Sequence, residues 1–88
     1  MASKEFTIEN KLGIHARPAA QFVKTANRFV CEIRVAKDDE EVDGKSIMGL
    51  MMLAAGHQSV IVVTAEGEDA DEALAALGEL VANRFNEE

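Results

Sequence analysis

The sequence contains no tryptophan and no tyrosine, a single proline, a single cysteine and only two histidines. One cysteine cannot close an internal disulfide, and no cysteine–histidine cluster has zinc-ligand spacing, so no metal site is expected. Cys31 reads as a packed core thiol. No run of about 18 apolar residues occurs, so no segment is expected to span a bilayer. The opening MASKEFTIEN goes straight into alternating apolar and polar residues without the apolar stretch of a signal peptide, and a cytoplasmic location is expected. Positive charge is scarce too: 9 Lys and Arg face 16 Asp and Glu, a net −7, whereas a nucleic-acid binder would carry a basic surface.

What is present is the composition of a small globular protein, 48% apolar and 28% charged over 88 residues. A chain of this size forms one domain, 1–88, and buries only about 60–65% of its unfolded surface, leaving little room for a deep catalytic cleft. Its charge is unevenly spread. Residues 1–37 hold seven Lys/Arg against three Asp/Glu, a net +4, and residues 38–88 hold two against thirteen, a net −11. Such a distribution reads either as plain solubility charge or as a cationic segment that steers an anionic partner.

Hydrophobic periodicity orders the elements. Phe6 and Ile8 alternate with polar neighbours as a half-buried strand, followed by punctuation at Asn10 to Gly13. From Ala16, the residues Ala19, Phe22, Val23, Ala26 and Val30 keep helical spacing, with Pro18 in the first turn, where its missing N–H costs little. The opposite face presents Arg17, Gln21, Lys24 and Arg28 as a cationic stripe. Cys31, Ile33 and Val35 alternate as a second strand, and Asp38–Asp39 turns into a weak third strand containing Val42, ended by Asp43–Gly44. Ser46 is a suitable cap for the short apolar helix IMGLMMLAA, on which Ile47, Leu50 and Leu53 are expected to share the core face. Ser59 to Ala65, with four consecutive β-branched residues from Val60 to Val63, reads as the most buried strand. Asp69 with Glu72 resembles a capping box before a last helix whose Ala73, Leu74, Leu77, Leu80 and Val81 repeat at helical spacing. The order β-α-β-β-α-β-α, with one apolar stripe per helix, predicts an α+β fold: helices packed on one face of a mostly antiparallel sheet.

His15 is the chemically informative residue. A lone histidine before a helix reads first as a surface or capping residue. Here, however, the helix start offers unpaired N–H groups and partial positive charge to an anion, and Arg17 adds a charge-assisted donor for phosphate oxygens. Gly13 lets the chain bend sharply before the ring. One short segment thus supplies a nucleophile together with groups that would stabilise its phosphorylated form.

The segment NKLGIHARPAA, Asn10 to Ala20, closely resembles the active-site segment of the HPr phosphocarriers of the phosphoenolpyruvate-dependent phosphotransferase system. The resemblance continues through DGKSIMGLMMLAAG, Asp43 to Gly56, and AEGEDADEALAAL, Ala65 to Leu77. It implies a two-layer open-faced sandwich, a four-stranded antiparallel sheet of order 1-4-2-3 with three helices on one face. It also implies that His15 takes a phosphoryl group on Nδ1 from phospho-Enzyme I and delivers it to an Enzyme IIA-type domain, while Arg17 stabilises the phosphohistidine. Such a protein is a carrier and not itself an enzyme, and no cofactor, metal, nucleic acid or membrane partner is implied.

Ser46 reads as a helix cap worth roughly 1 kcal/mol. By resemblance it is also the substrate serine of an HPr kinase/phosphorylase. Ile47, Met48, Met51 and Met52 read either as core or as a docking surface, flexible methionines suiting several partners. The resemblance implies one patch for both donor and acceptor, formed by Ala16, Ala20, Gln21, Lys24, Ile47, Met48 and Met51 beside His15. Nothing requires a homodimer, and a monomer is expected.

Some positions depart from the family pattern. Gly56-His57-Gln58 stands where relatives commonly have lysine and glycine, and His57 reads as a solvated loop residue. Lys11-Leu12-Gly13 and the ending Arg84 to Glu88 are similar to the nitrogen-branch relative, NPr. An NPr-type carrier in a regulatory phosphorelay is therefore the first alternative. A regulatory binding module acting through Ser46 phosphorylation and docking, without phosphoryl transfer, is the second, set against the presence of His15 and Arg17. A stand-alone enzyme would need a second acid or base beside His15.

Overall fold

Alternation of apolar and polar residues builds the sheet. In the strand Glu32–Lys37 (β2), Ile33 and Val35 point inward and Glu32 and Arg34 outward. In Val60–Glu66 (β4), Ile61, Val63 and Ala65 are buried. These are two of four strands in the computed structural model, which describes residues 1–86; Glu87 and Glu88, part of the C-terminal similarity to the nitrogen-branch relative, lie outside the described residues. The others are Ala2–Thr7 (β1) and Glu40–Asp43 (β3). The sheet has the order β1-β4-β2-β3 and every neighbouring pair is antiparallel, with Phe6 opposite Ile61, Val35 opposite Val63 and Val42 opposite Val35. β2 and β3 form a hairpin through Asp38–Asp39, where Asp38 takes φ +56°, a conformation Asp tolerates.

Three helices cover one face: Ala16–Ala26 (α1), Ile47–Met52 (α2) and Ala70–Ala82 (α3). Ala19, Phe22, Val23 and Ala26 of α1, Leu50 of α2 and Ala73, Leu74, Leu77 and Val81 of α3 meet the inward strand residues and Cys31 in one core. This is the expected α+β open-faced sandwich with strand order 1-4-2-3. Replacing the fully buried Phe22 by alanine would cost about 3–5 kcal/mol by loss of packing. Phe85 also reaches this core, from a turn at Arg84–Asn86 in which all three residues have positive φ.

Several sequence expectations need correction. α1 ends at Ala26, so Val30 lies outside the helix and is 87% exposed. Arg28 likewise sits beyond the helix end, over the Phe29 ring at 5.5 Å, so the cationic stripe on α1 itself stops at Lys24. Asp69 makes no capping bond at α3. Its carboxylate instead accepts from the N–H groups of Val30 at 2.9 Å and Cys31 at 3.0 Å. The chain between α1 and β2 is thus held by a residue 38 positions away from Cys31, which spacing within a helix cannot reveal. β4 is central, yet Val62 and Thr64 are only half-buried and Val60 is exposed, because the sheet's outer face is uncovered. Ile47 does not share the core face with Leu50 and Leu53. Each step of three residues falls short of a full turn by about 60°, and the drift carries Ile47 to the surface.

Candidate functional site

The loop that presents His15 is built on Asn10 and Gly13. Asn10 is fully buried; its side-chain amide donates to the Gly13 carbonyl at 2.7 Å, and the Gly13 N–H donates back to the Asn10 carbonyl at 3.2 Å. Gly13 has φ +71°, and a Cβ at this position would meet the Ala55 carbonyl oxygen and the Gly56 Cα. The close approach has a purpose in the loop, since Ile14 N–H donates to that Ala55 carbonyl at 2.8 Å. Nearby, Gln58 N–H donates to Ile8 O and Ile8 N–H to Ser59 O, and His57 Nδ1 lies 3.3 Å from the Asn10 carbonyl. The chain leaving α2 therefore straps the loop entering α1. His57 is exposed, as a loop residue should be, but it belongs to this strap.

His15 occupies the N-cap position of α1 with extended backbone, φ −98° and ψ −163°, and its side chain makes no capping bond. Its N–H donates to Gly13 O at 3.1 Å, and its carbonyl accepts the first helical bond from Ala19 at 2.9 Å. The N–H groups of Ala16 and Arg17 precede that first bond, and Pro18 has none to offer. No acidic residue of α1 stands in its first turn, where a carboxylate would compete with an anion for the helix's positive end. Arg17 is exposed and forms no ion pair among the described residues. Half-buried His15 thus stands where helix amides and a guanidinium can receive an anion.

The other candidates lie on two neighbouring helices. Ala16, Ala20 and Lys24 are exposed and Gln21 is half-buried on α1, which packs beside α2. Ser46 is the N-cap of α2, and its Oγ accepts from Gly49 N–H at 3.0 Å. Ile47, Met48, Met51 and Met52 are all exposed, which resolves the choice between core and surface for the methionines.

Sequence reasoning missed Asn10 and Lys45. Lys45 Nζ donates to Phe29 O at 2.7 Å and ties the Ser46 turn to the chain that follows α1. An asparagine three residues before a glycine in a turn carries a weak signal for the Asn10 contact. Nothing local signals Lys45.

Charge at the back of the core is also ordered. The Val30 N–H above all, then the Cys31 thiol and N–H, hold the Asp69 carboxyl below its ordinary value. Burial first, and then the adjacent Asp69 carboxylate, push the Cys31 thiol up. Among the described residues no group of three or more His, Cys, Asp or Glu could hold a metal ion, and no helix is long and apolar enough to cross a membrane.

Comparison with known proteins agrees with this geometry. The profile of the family described as PTS HPr component phosphorylation site matches residues 2–83. The phosphocarrier protein HPr of Pseudomonas aeruginosa is 56% identical over 88 residues, covering 99% of this chain and 98% of its own. The crystal structure of HPr-C-His from Thermoanaerobacter tengcongensis superposes with a TM-score of 0.96 at 46% identity, covering 100% of this chain and 99% of that one. A second structure, described as an HPr dimer from the same organism, has a TM-score of 0.79 at 49% identity, covering 96% and 99%. With motif, strand order and overall sequence in agreement across its length, the chain belongs to the HPr family of phosphocarriers of the phosphotransferase system.

Proposed function

We propose that His15 is the phosphoryl acceptor, taking its group from the phosphohistidine of Enzyme I and passing it to an Enzyme IIA-type domain. The observation that carries this reading is His15 at the N-terminus of α1, with no acid in the first turn and Arg17 two residues on. The Nδ1 lone pair attacks the phosphorus in line as the bond to the donor's ring nitrogen breaks. The electron pair of that bond returns to the donor imidazole. The reverse roles apply on delivery. Helix amides and Arg17 stabilise charge on the phosphoryl oxygens throughout, which is positioning and electrostatics and needs no further acid or base. The transfer requires one copy of this chain and one partner, in keeping with a monomer.

Docking falls to the surface around His15. Ala16, Ala20, Gln21, Lys24, Ile47, Met48 and Met51 supply a mixed apolar and cationic face, on which the cations speed encounter with an acidic partner. Ser46 is proposed as a regulatory site. A phosphate there would add about two negative charges at the start of α2, within the docking face, without opposing the helix dipole.

The similarity of Lys11-Leu12-Gly13 to the nitrogen-branch relative, with Leu12 exposed on the His15 loop where an acceptor can meet it, favours a second reading, delivery into a nitrogen-branch relay. The test of delivery is a chase: the phosphorylated chain is mixed with sugar-branch and nitrogen-branch acceptor domains in parallel. Movement of the group to one of them supports the carrier reading and assigns the branch. Retention on this chain with both acceptors would overturn it.

A further inference from the structure

The exposed side of α2 is made mostly of thioethers, with Ile47 beside them at 42% exposure. Met48 is 74% exposed, Met51 43% and Met52 73%, whereas the residues that anchor this segment to the core are Leu50 at 0% and Leu53 at 2%. Apart from the outward, inert Ile47, the large apolar side chains of this segment fall into two populations: the methionines, oxidisable and outward, and the leucines, inert and inward. Its first turn is closed by the Ser46 Oγ and Gly49 N–H, which involve no sulfur. The loop behind His15 is strapped by backbone bonds from Ala55 and Gln58, beyond the helix.

We propose that Met48, Met51 and Met52 form a peroxide-responsive switch on the docking face, their oxidation to sulfoxides weakening capture by the phosphoryl donor while the fold and His15 stay intact. In each event a sulfur lone pair attacks hydrogen peroxide or an organic peroxide, and the O–O bond breaks. One oxygen is added to sulfur, which is oxidised by two electrons, and the remainder leaves as water or alcohol. The product side chain is polar and strongly hydrated, so an apolar partner surface would have to desolvate it. Leu50 and Leu53 are untouched, so α2 remains seated. Sulfoxides are reducible enzymatically, which makes the change reversible.

This inference rests on the reading that α2 docks Enzyme I, and the experiment separates the two. The full chain is treated with hydrogen peroxide, and peptide mapping confirms one oxygen on each of Met48, Met51 and Met52. Charging by Enzyme I and phosphoenolpyruvate is then followed against carrier concentration, beside untreated protein, M48L/M51L/M52L with and without peroxide, and Met48→Glu. Met1, also exposed, remains in the triple variant and controls for its own oxidation. The expected result is a KM raised about tenfold with kcat nearly kept, reversed by methionine sulfoxide reductases, while the triple variant moves less than about twofold against its own untreated sample. An unchanged KM in fully oxidised protein, with Met48→Glu raising it, overturns the switch and keeps the docking reading. An unchanged KM in both overturns both. Loss of the folded circular dichroism signal on oxidation also overturns the switch, since the effect would then be damage.

Discussion

The side-chain amide of Asn10 donates to the Gly13 carbonyl at 2.7 Å, so a fully buried polar group sits at the base of the loop that carries His15. The same carbonyl accepts from the His15 N–H, which couples the position of the ring's backbone to a side chain five residues earlier. Asn10→Ala removes the donor and should cost about 1–3 kcal/mol in a urea titration. Asn10→Asp should cost more near neutral pH, because a buried carboxylate cannot donate and would face a carbonyl. Both variants should charge more slowly with Enzyme I than their loss of stability alone explains.

Gly13→Ala tests the strap. A methyl group at φ +71° is strained and would collide with the Ala55 carbonyl that Ile14 uses. The expected loss is at least about 1–3 kcal/mol. Faster hydrogen exchange should appear at the Ile14 amide, and amides of β2, remote from the strap, should change less.

How much was legible in the sequence follows from the range of the interactions. Alternation in Cys31, Ile33 and Val35, the spacing of Phe22, Val23 and Ala26, and the Asp38–Asp39 turn are local patterns, and each appears as the residues suggest. His15 before a helix start with Arg17 was legible for the same reason. Contacts that join distant segments were not. Asp69 reads as a cap from its neighbours, yet it spends its carboxylate on Val30 and Cys31. Val30 reads as helix because valine fits the period, although the chain has already turned after Ala26. Phe85 enters the core only because three successive residues adopt positive φ, which Arg-Phe-Asn does not announce.

Ser46 serves α2 as a cap, so Ser46→Ala should lower stability by about 1 kcal/mol. Ser46→Asp retains a capping oxygen and suits the helix dipole, and its stability should stay within about 0.5 kcal/mol of the wild type. The two variants should separate on activity. The new negative charge in Ser46→Asp should raise the KM for charging by Enzyme I, and Ser46→Ala should leave it closer to the starting value.

Acid and alkaline stability should have different origins. The Asp69 carboxyl is held below its ordinary 3.8, so its contribution is full above that value and disappears as pH falls through the lower folded one. The Cys31 thiol is raised from 9.0, so its contribution is full below pH 9.0 and disappears as pH climbs toward the raised value. Urea midpoints measured against pH should show Asp69→Asn removing part of the acid slope below pH about 4 and Cys31→Ala removing part of the alkaline slope above pH about 9. If neither slope changes, these two contacts do not set the pH limits of the fold.

The most direct measurement is intact mass after incubation with Enzyme I and phosphoenolpyruvate, for the natural chain and for His15→Ala. One added phosphoryl group, lost in acid and absent from His15→Ala, is the predicted result. A phosphoryl group that survives acid treatment, or that still appears on His15→Ala, would contradict the assignment of His15 as the carrier residue.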